Sequence, residues 1–312
     1  MTRRQNSLRY GQCMFSKPNI TVIAFLVACV GIALFSVMDA AMKSLSIAIG
    51  AYNAMLWRQL VGVGIGGVGF FATRSSWPTK AALRLTMIRG GLGAVMAFTF
   101  FWGIARVPLA EGIALSFIAP LITLYLAAVI LKERIGRGAI TASMLGMIGV
   151  GVILAGRIGA ESYDREVMLG IGAIFISAIL YAYNLILQRQ LAQISSPTQV
   201  AFFMNIFALA VTVIPAPFLA HVPEQVHWPL IVLGAVLAYV SIVLLSWAYA
   251  RAEAQILIPV EYTAFIWAAI LGLVFFNEQV TVATLIGTAL IVAGCIIAAR
   301  QKPERADHIE MA

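Results

Sequence analysis

The residues that could do chemistry in this chain are few, and most stand where charge is costly. Glu261 lies about eight residues into an apolar stretch and two residues after Pro259. Proline removes a helix hydrogen bond and can open the backbone beside it. Placing an ionised group inside a membrane costs roughly 2.5–3.5 kcal/mol on insertion scales, so Glu261 needs a reason to be there. Two are available: contact with a substrate or proton, or an ion pair inside the helix bundle with Arg58 as its partner. Asp39 and Lys43 are one helical turn apart and share a face, which fits a helix-end salt bridge or a gate. Arg89 and Glu111 sit within a turn or so of their helix ends, where long side chains can snorkel to the interface. Glu133 and Glu278 fall where the chain leaves the apolar runs, in short turns.

Aromatic and polar side chains make a second set. Trp102, Trp247, Tyr262, Trp267, Tyr181 and Tyr183 could stack on a planar substrate or take a cation on their faces. They could equally anchor helices at the membrane interface. Asn184, Gln188, Asn205 and Ser116 could hydrogen-bond a substrate or a neighbouring helix. Pro120 and Pro259 are expected helix breaks. Gly62, Gly64 and Gly67 spell G-x-G-x-x-G, but no strand precedes them, so close helix packing replaces the dinucleotide reading. His221 and His227 flank Glu224 without metal-ligand spacing, and Cys13, Cys29 and Cys295 form no disulfide or metal pattern. No cofactor and no metal are expected.

The elements that must position these residues are membrane helices. The 312 residues are 62% hydrophobic and 11% charged, with a mean hydropathy of +0.95. The apolar residues gather into runs long enough to span the hydrocarbon core, and in lipid such runs must be helical. The runs fall at 20–42, 51–72, 86–105, 108–131, 138–156, 167–187, 198–219, 229–249, 253–276 and 280–299. The fold expected is an all-α membrane protein of ten transmembrane helices. The net charge of +8 is not a nucleic-acid signature, because the basic residues lie between apolar runs. With the N-terminus inside, cytoplasmic segments hold fifteen Lys and Arg residues against four on the other side, Lys43 among them. That bias places both termini in the cytoplasm, in a multi-pass protein of the cell inner membrane.

Shifted by 145 residues, the chain lies on itself without a gap. Asp39 meets Asn184, Lys43 meets Gln188, Trp102 meets Trp247, Arg106 meets Arg251, Glu133 meets Glu278 and Gly149 meets Gly294. Each copy holds five spans, an odd number, so the second must enter the membrane upside down. The expected organisation is a tail over 1–19, repeats over 20–156 and 167–300, and a tail over 301–312. Inverted repeats place a binding site near the midplane and let one half rock against the other. That expectation is a carrier of a small molecule within the lipid bilayer, as a monomer or homodimer. An integral membrane enzyme is the rival from another class, and the short loops leave little room for its catalytic set.

The stretches Arg89-Gly90, RVPLAEGIALSFIAPL (106–121) and KER (132–134), with ARAEAQILIPVEYTAF (250–265) and NEQ (277–279), resemble the drug/metabolite transporter superfamily, EamA type. The resemblance covers about 20 to 300. It implies two inverted five-helix repeats around a cavity that opens alternately to either side. The chain departs from the common pattern at Asn277, where many members have Gly, and at Trp102, where many have Tyr. Asp39-x-x-x-Lys43 and Pro259-Val260-Glu261-Tyr262 are similar to a bacterial branch that includes S-adenosylmethionine and riboflavin uptake carriers. The alternative within the superfamily is an exporter of amino acids or drugs.

Overall fold

The computed structural model describes residues 20–119, 122, 137–158, 165–192, 194–251, 260 and 263–299. The described elements are helical: α1 Ile20–Ile49, α2 Ala51–Ala72, α3 Lys80–Ile104, α4 Leu109–Ser116, α5 Arg137–Ile158, α6 Arg165–Ala192, α7 Pro197–Val213, α8 Trp228–Tyr249, α9 Thr263–Phe276 and α10 Val282–Ala299. A single helical turn over Ala216–Leu219 follows α7. Among the described residues, five helices, those over Val22–Ile49, Ala51–Ala72, Lys80–Ile104, Arg165–Gln188 and Gln225–Tyr249, are each long and apolar enough to cross a membrane.

Helix ends follow local chemistry more than hydropathy. Hydropathy ends the first span at 42, before Lys43, but α1 runs to Ile49. Lys43 therefore belongs to the helix and not to a loop. The break comes at Gly50, whose φ of 81° suits a residue without a β-carbon and joins α1 to α2 through one residue. α3 starts at Lys80 rather than 86 because the Thr79 side chain accepts a hydrogen bond from the Ala82 amide. α7 opens with a capping box between Ser196 and Gln199 and Pro197 in its first turn. The expected span over 198–219 is interrupted at Ile214 and Pro215. α9 stops at Asn277, which takes φ 52° while the Glu278 amide returns to the Gly272 carbonyl at 3.0 Å. Asparagine tolerates the left-handed region better than other side chains do. That accounts for Asn277 standing in a position where Gly is common.

Three contacts fix one end of the bundle, here called the Gly50 end. Trp57 near the start of α2 packs edge-on against Trp228 at the start of α8, centroids 5.4 Å apart. Asn53 binds the His221 backbone amide at 3.0 Å. Arg106, just past α3, pairs with Glu166 in the first turn of α6 at 2.8 Å. α1 thus runs toward this end and α6 away from it; α3 runs toward it and α8 away. The second copy is inverted relative to the first. The opposite end carries Ser75 against Thr198 at 2.7 Å, joining the exit of α2 to the entry of α7.

Packing repeats the same symmetry. α1 packs on α8 as α3 packs on α6, and α3 packs on α7 as α8 packs on α2. The last helices of the two copies, α5 and α10, pack on each other through glycines. A β-carbon on Gly149 would stand 2.5 Å from the Gly287 carbonyl oxygen. The glycine-rich face of α2 meets α7: β-carbons on Gly62 and Gly66 would stand 3.0 Å from Asn205 and 3.2 Å from Phe202. Small residues at such crossings let backbones approach closely, which is how helices associate in lipid. The largest core cluster draws Met42, Leu45 and Met55 together with Leu109, Leu115, Ile153, Ile174, Ile231 and Ile291. It therefore mixes both copies.

Candidate functional site

Among the described residues, the charges inside the bundle form three groups. Asp39 on α1 is 6% exposed, and its Oδ1 is sealed without a hydrogen-bond partner. Arg58 on α2 is half-buried, its Nε likewise sealed and unpartnered. The two sense each other electrostatically, but no ion pair within 4 Å joins them among the described residues. The Arg58 side chain passes 3.7 Å from where a β-carbon on Gly234 of α8 would be, with Met42 Sδ at 3.9 Å from the same point. Gln59 Oε1 beside Arg58 and Ser46 Oγ on α1 are also buried without partners. Buried polar atoms are normally satisfied, so this concentration calls for an explanation. Glu261, expected to pair with Arg58, lies outside the described residues, as do Tyr262, Pro259, Pro120 and Glu133.

The second group is Arg89 on α3. Its sequence position suggests snorkelling to the interface, but it is 8% exposed. Its Nε donates to Asn184 Oδ1 at 3.1 Å and its Nη2 to Gln188 Oε1 at 2.9 Å. Nine residues, ~14 Å of rise, separate Arg89 from the start of α3, too deep for a short reach to the headgroups. Asn184 Nδ2 is buried without a partner. Asn184 and Gln188 are the repeat counterparts of Asp39 and Lys43, so equivalent positions in the two copies are both polar and both engaged.

The third group lies toward the Gly50 end. Lys43 does not pair with Asp39, although they share a helix face. It forms an ion pair with Glu278, donates to the Val107 carbonyl at 2.7 Å, and lies 4.9 Å from the Phe276 ring centroid. Glu278 Oε2 accepts the Leu109 amide at 2.7 Å. Leu109 is the first residue of α4, where unpaired amides and the helix dipole favour a carboxylate. A β-carbon on Gly272 would stand 3.0 Å from Glu278 Oε2, so that glycine makes room for the carboxylate. The sequence suggests a turn role for Glu278; the fold makes it the bridge between the copies. Beside it a small cleft, with a free volume of about 10 Å³, is lined by Pro108, Glu111, Gly272, Glu278, Gln279 and Thr281, among others. Glu111, also expected at the interface, is 2% exposed.

Among the described residues, Trp102 and Trp247 stand at opposite ends of the bundle. Arg106 lies over Trp102 at 3.5 Å and returns a hydrogen bond to the Trp102 carbonyl at 2.9 Å. Arg251 does the same on Trp247, at 4.1 and 3.2 Å. The repeated Trp and Arg are therefore a helix-end device used once at each end of the bundle. One face of each indole is covered by its own arginine. Trp267 and Tyr183 are about 40% exposed. Ser116 spends its hydroxyl on the Gly112 carbonyl at 2.9 Å, within its own helix. Of the predicted set, Asp39, Arg58 and Asn184 remain interior polar groups with unmet hydrogen-bonding capacity.

The model of the EamA-like transporter family matches residues 21–155 and again 168–300. This chain belongs to that family. The double match coincides with the two copies seen in the helix packing. The chain is 30% identical over 218 residues to an uncharacterized transporter of Helicobacter pylori, covering 66% of this chain and 70% of that protein. It is 25% identical over 277 residues to the pseudopaline exporter CntI of Pseudomonas aeruginosa, covering 86% and 93%. It is 24% identical over 241 residues to a riboflavin transporter of Rhizobium johnstonii, covering 76% of each. One solved crystal structure aligns with TM-score 0.62 at 20% identity over 89% of this chain and 96% of that one, a likeness of fold. The chain is a membrane transporter of the EamA family.

Proposed function

We propose that this chain is a secondary carrier that moves a small organic metabolite across the bacterial inner membrane by alternating access. In this reading both termini are cytoplasmic, the Gly50 end faces outward, and the repeats are bounded near 20–156 and 167–300. The substrate is held between them beside Asp39 and Arg58. The observation that carries the placement is the unmet polarity there: Asp39 Oδ1, Arg58 Nε and Gln59 Oε1 are buried without partners. A buried charge without hydrogen bonds is expensive, and a ligand with complementary groups removes that expense when it binds. Charges of both signs suit a substrate that is itself polar. Asn184 supplies a polar group from the other copy, held by Arg89 of the first, and Glu261 is assigned to substrate or proton contact.

The substrate class follows the relatives and the sequence resemblance: a riboflavin-like or S-adenosylmethionine-like metabolite taken up. Export is the second reading, favoured by the pseudopaline exporter, which aligns over 86% of the chain. The test is a thermal-shift screen of purified protein against riboflavin, S-adenosylmethionine, amino acids and nucleosides, followed by flux measurements in liposomes. A ligand that binds only the folded state raises its apparent stability. Saturable counterflow of the ligand so found supports the carrier reading. Chemical conversion of that ligand without flux would replace it with an enzyme.

A further inference from the structure

At the Gly50 end the two copies are joined by a largely buried ion pair. At the Gly50 end, Lys43 and the Val107–Leu109 turn come from the first copy, and Glu278 comes from the second. The carboxylate is held twice, by the Lys43 ammonium through Oε1 and by the Leu109 amide through Oε2. The ammonium in turn is held by Glu278 and by the Val107 carbonyl. Lys43 is 3% exposed. The repeat places Gln188, which has no charge, where Lys43 stands. Gln188 accepts from Arg89 within its own end of the bundle. An ammonium–carboxylate bridge of this kind therefore cannot form at the opposite end from the equivalent position.

We propose that the Lys43–Glu278 pair is the latch of the carrier's outward gate, closing the Gly50 end until the pair parts. The assignment of a gate rests on the alternating-access reading. If one copy rocks against the other, a contact that joins the two copies at one end must break for that end to open. The latch pulls the start of α4 onto the end of α9. The cleft lined by Pro108, Glu111 and Gly272 marks the seam along which they would separate. Asn277 turns the chain so that Glu278 points back over Gly272, and the bare glycine leaves space for the carboxylate. Each part of the latch is thus built by a local feature: a left-handed residue, a missing side chain and a helix N-terminus.

The gate can be tested without knowing the substrate. Cys13, Cys29 and Cys295 are replaced by Ser, and Ala114→Cys is introduced as a reporter one turn inside α4, where Ala114 is 0% exposed. The purified full chain in detergent is then treated with a charged, water-soluble maleimide. Glu278→Gln and Lys43→Met are each expected to speed labelling by about tenfold or more, by shifting the population toward the open end. The double variant should label well below the product of the two single effects, because both substitutions remove the shared contact. Gly272→Ala crowds Glu278 Oε2 without changing any charge, and serves if either charge variant fails to fold. It too should speed labelling. Rates within about twofold of the parent in the folded variants, or a double variant whose effect is the product of the singles, overturn the latch. Labelling reports opening and not flux. A gate that opens in a chain moving no solute would sink the transport reading and leave the latch standing.

Discussion

Removing the charges at Asp39 and Arg58 one at a time and then together separates a binding role from a structural one. No nitrogen–oxygen pair of theirs lies within 4 Å, so their attraction is below the value for that distance, about 4 kcal/mol at an effective dielectric near 20. Asp39→Asn leaves Arg58 alone in the interior, and Arg58→Gln leaves Asp39 alone. Breaking a closed buried pair costs about 3–5 kcal/mol; here the open geometry and the partial exposure of Arg58 reduce the expectation to about 1–3 kcal/mol for each single variant. The double variant leaves no lone charge and should recover most of that loss, to within about 1 kcal/mol of wild type. Thermal unfolding of the purified protein in detergent measures this. Ligand affinity, measured with the compound returned by the screen, should not recover in the double variant, since both recognition groups are gone. A double variant that binds like wild type refutes the substrate role. One whose loss of stability equals the sum of the singles refutes the electrostatic coupling.

Arg89→Met removes two interhelical hydrogen bonds, worth about 0.6 kcal/mol each by measurements in membrane bundles, and also removes the desolvation of a buried guanidinium. Its melting temperature should stay near wild type or rise while transport falls; a large loss of stability with normal transport would make Arg89 purely structural. Gly149→Val must force α5 and α10 apart, because a β-carbon there would stand 2.5 Å from the Gly287 carbonyl oxygen; the overpacking should cost about 1–3 kcal/mol, read as a lower melting temperature. Asn277→Gly should be neutral or stabilising, whereas Asn277→Val should cost about 1–2 kcal/mol because a β-branched residue resists φ 52°. A fluorescent protein fused after Ala312 should fluoresce in cells if the C-terminus is cytoplasmic; a dark, fully expressed fusion would reverse the orientation read from the basic residues.

The helices and their duplication are legible in the sequence, because each depends on information that runs along the chain. A run of apolar residues becomes a helix in lipid whatever its neighbours are, and a fixed offset of 145 exposes the repeat. The Trp102/Arg106 and Trp247/Arg251 correspondence is visible as spacing. Only the folded arrangement shows that each arginine lies on its own indole and returns to its carbonyl, which takes one face of the ring away from any substrate. Helix ends are less legible. Lys43 looks like an exit from the membrane, yet a charge that finds a carboxylate partner does not need to end a helix, and Gly50 ends α1 instead.

Which charge meets which is decided by the tertiary structure alone. Asp39 and Lys43 share a face by helical spacing, but four residues along α1 bring them against different neighbours. Lys43 meets Glu278, 235 residues away, and Asp39 is left in the field of Arg58. Arg89 looks able to reach the headgroups from its place in α3, but α6 packs across that side and offers Asn184 and Gln188 first. Hydropathy along the chain establishes that an ionisable residue is buried in the membrane, since that is a property of its own segment. Its partner depends on how inverted helices cross, and that geometry is set by distant small residues such as Gly149, Gly272 and Gly287.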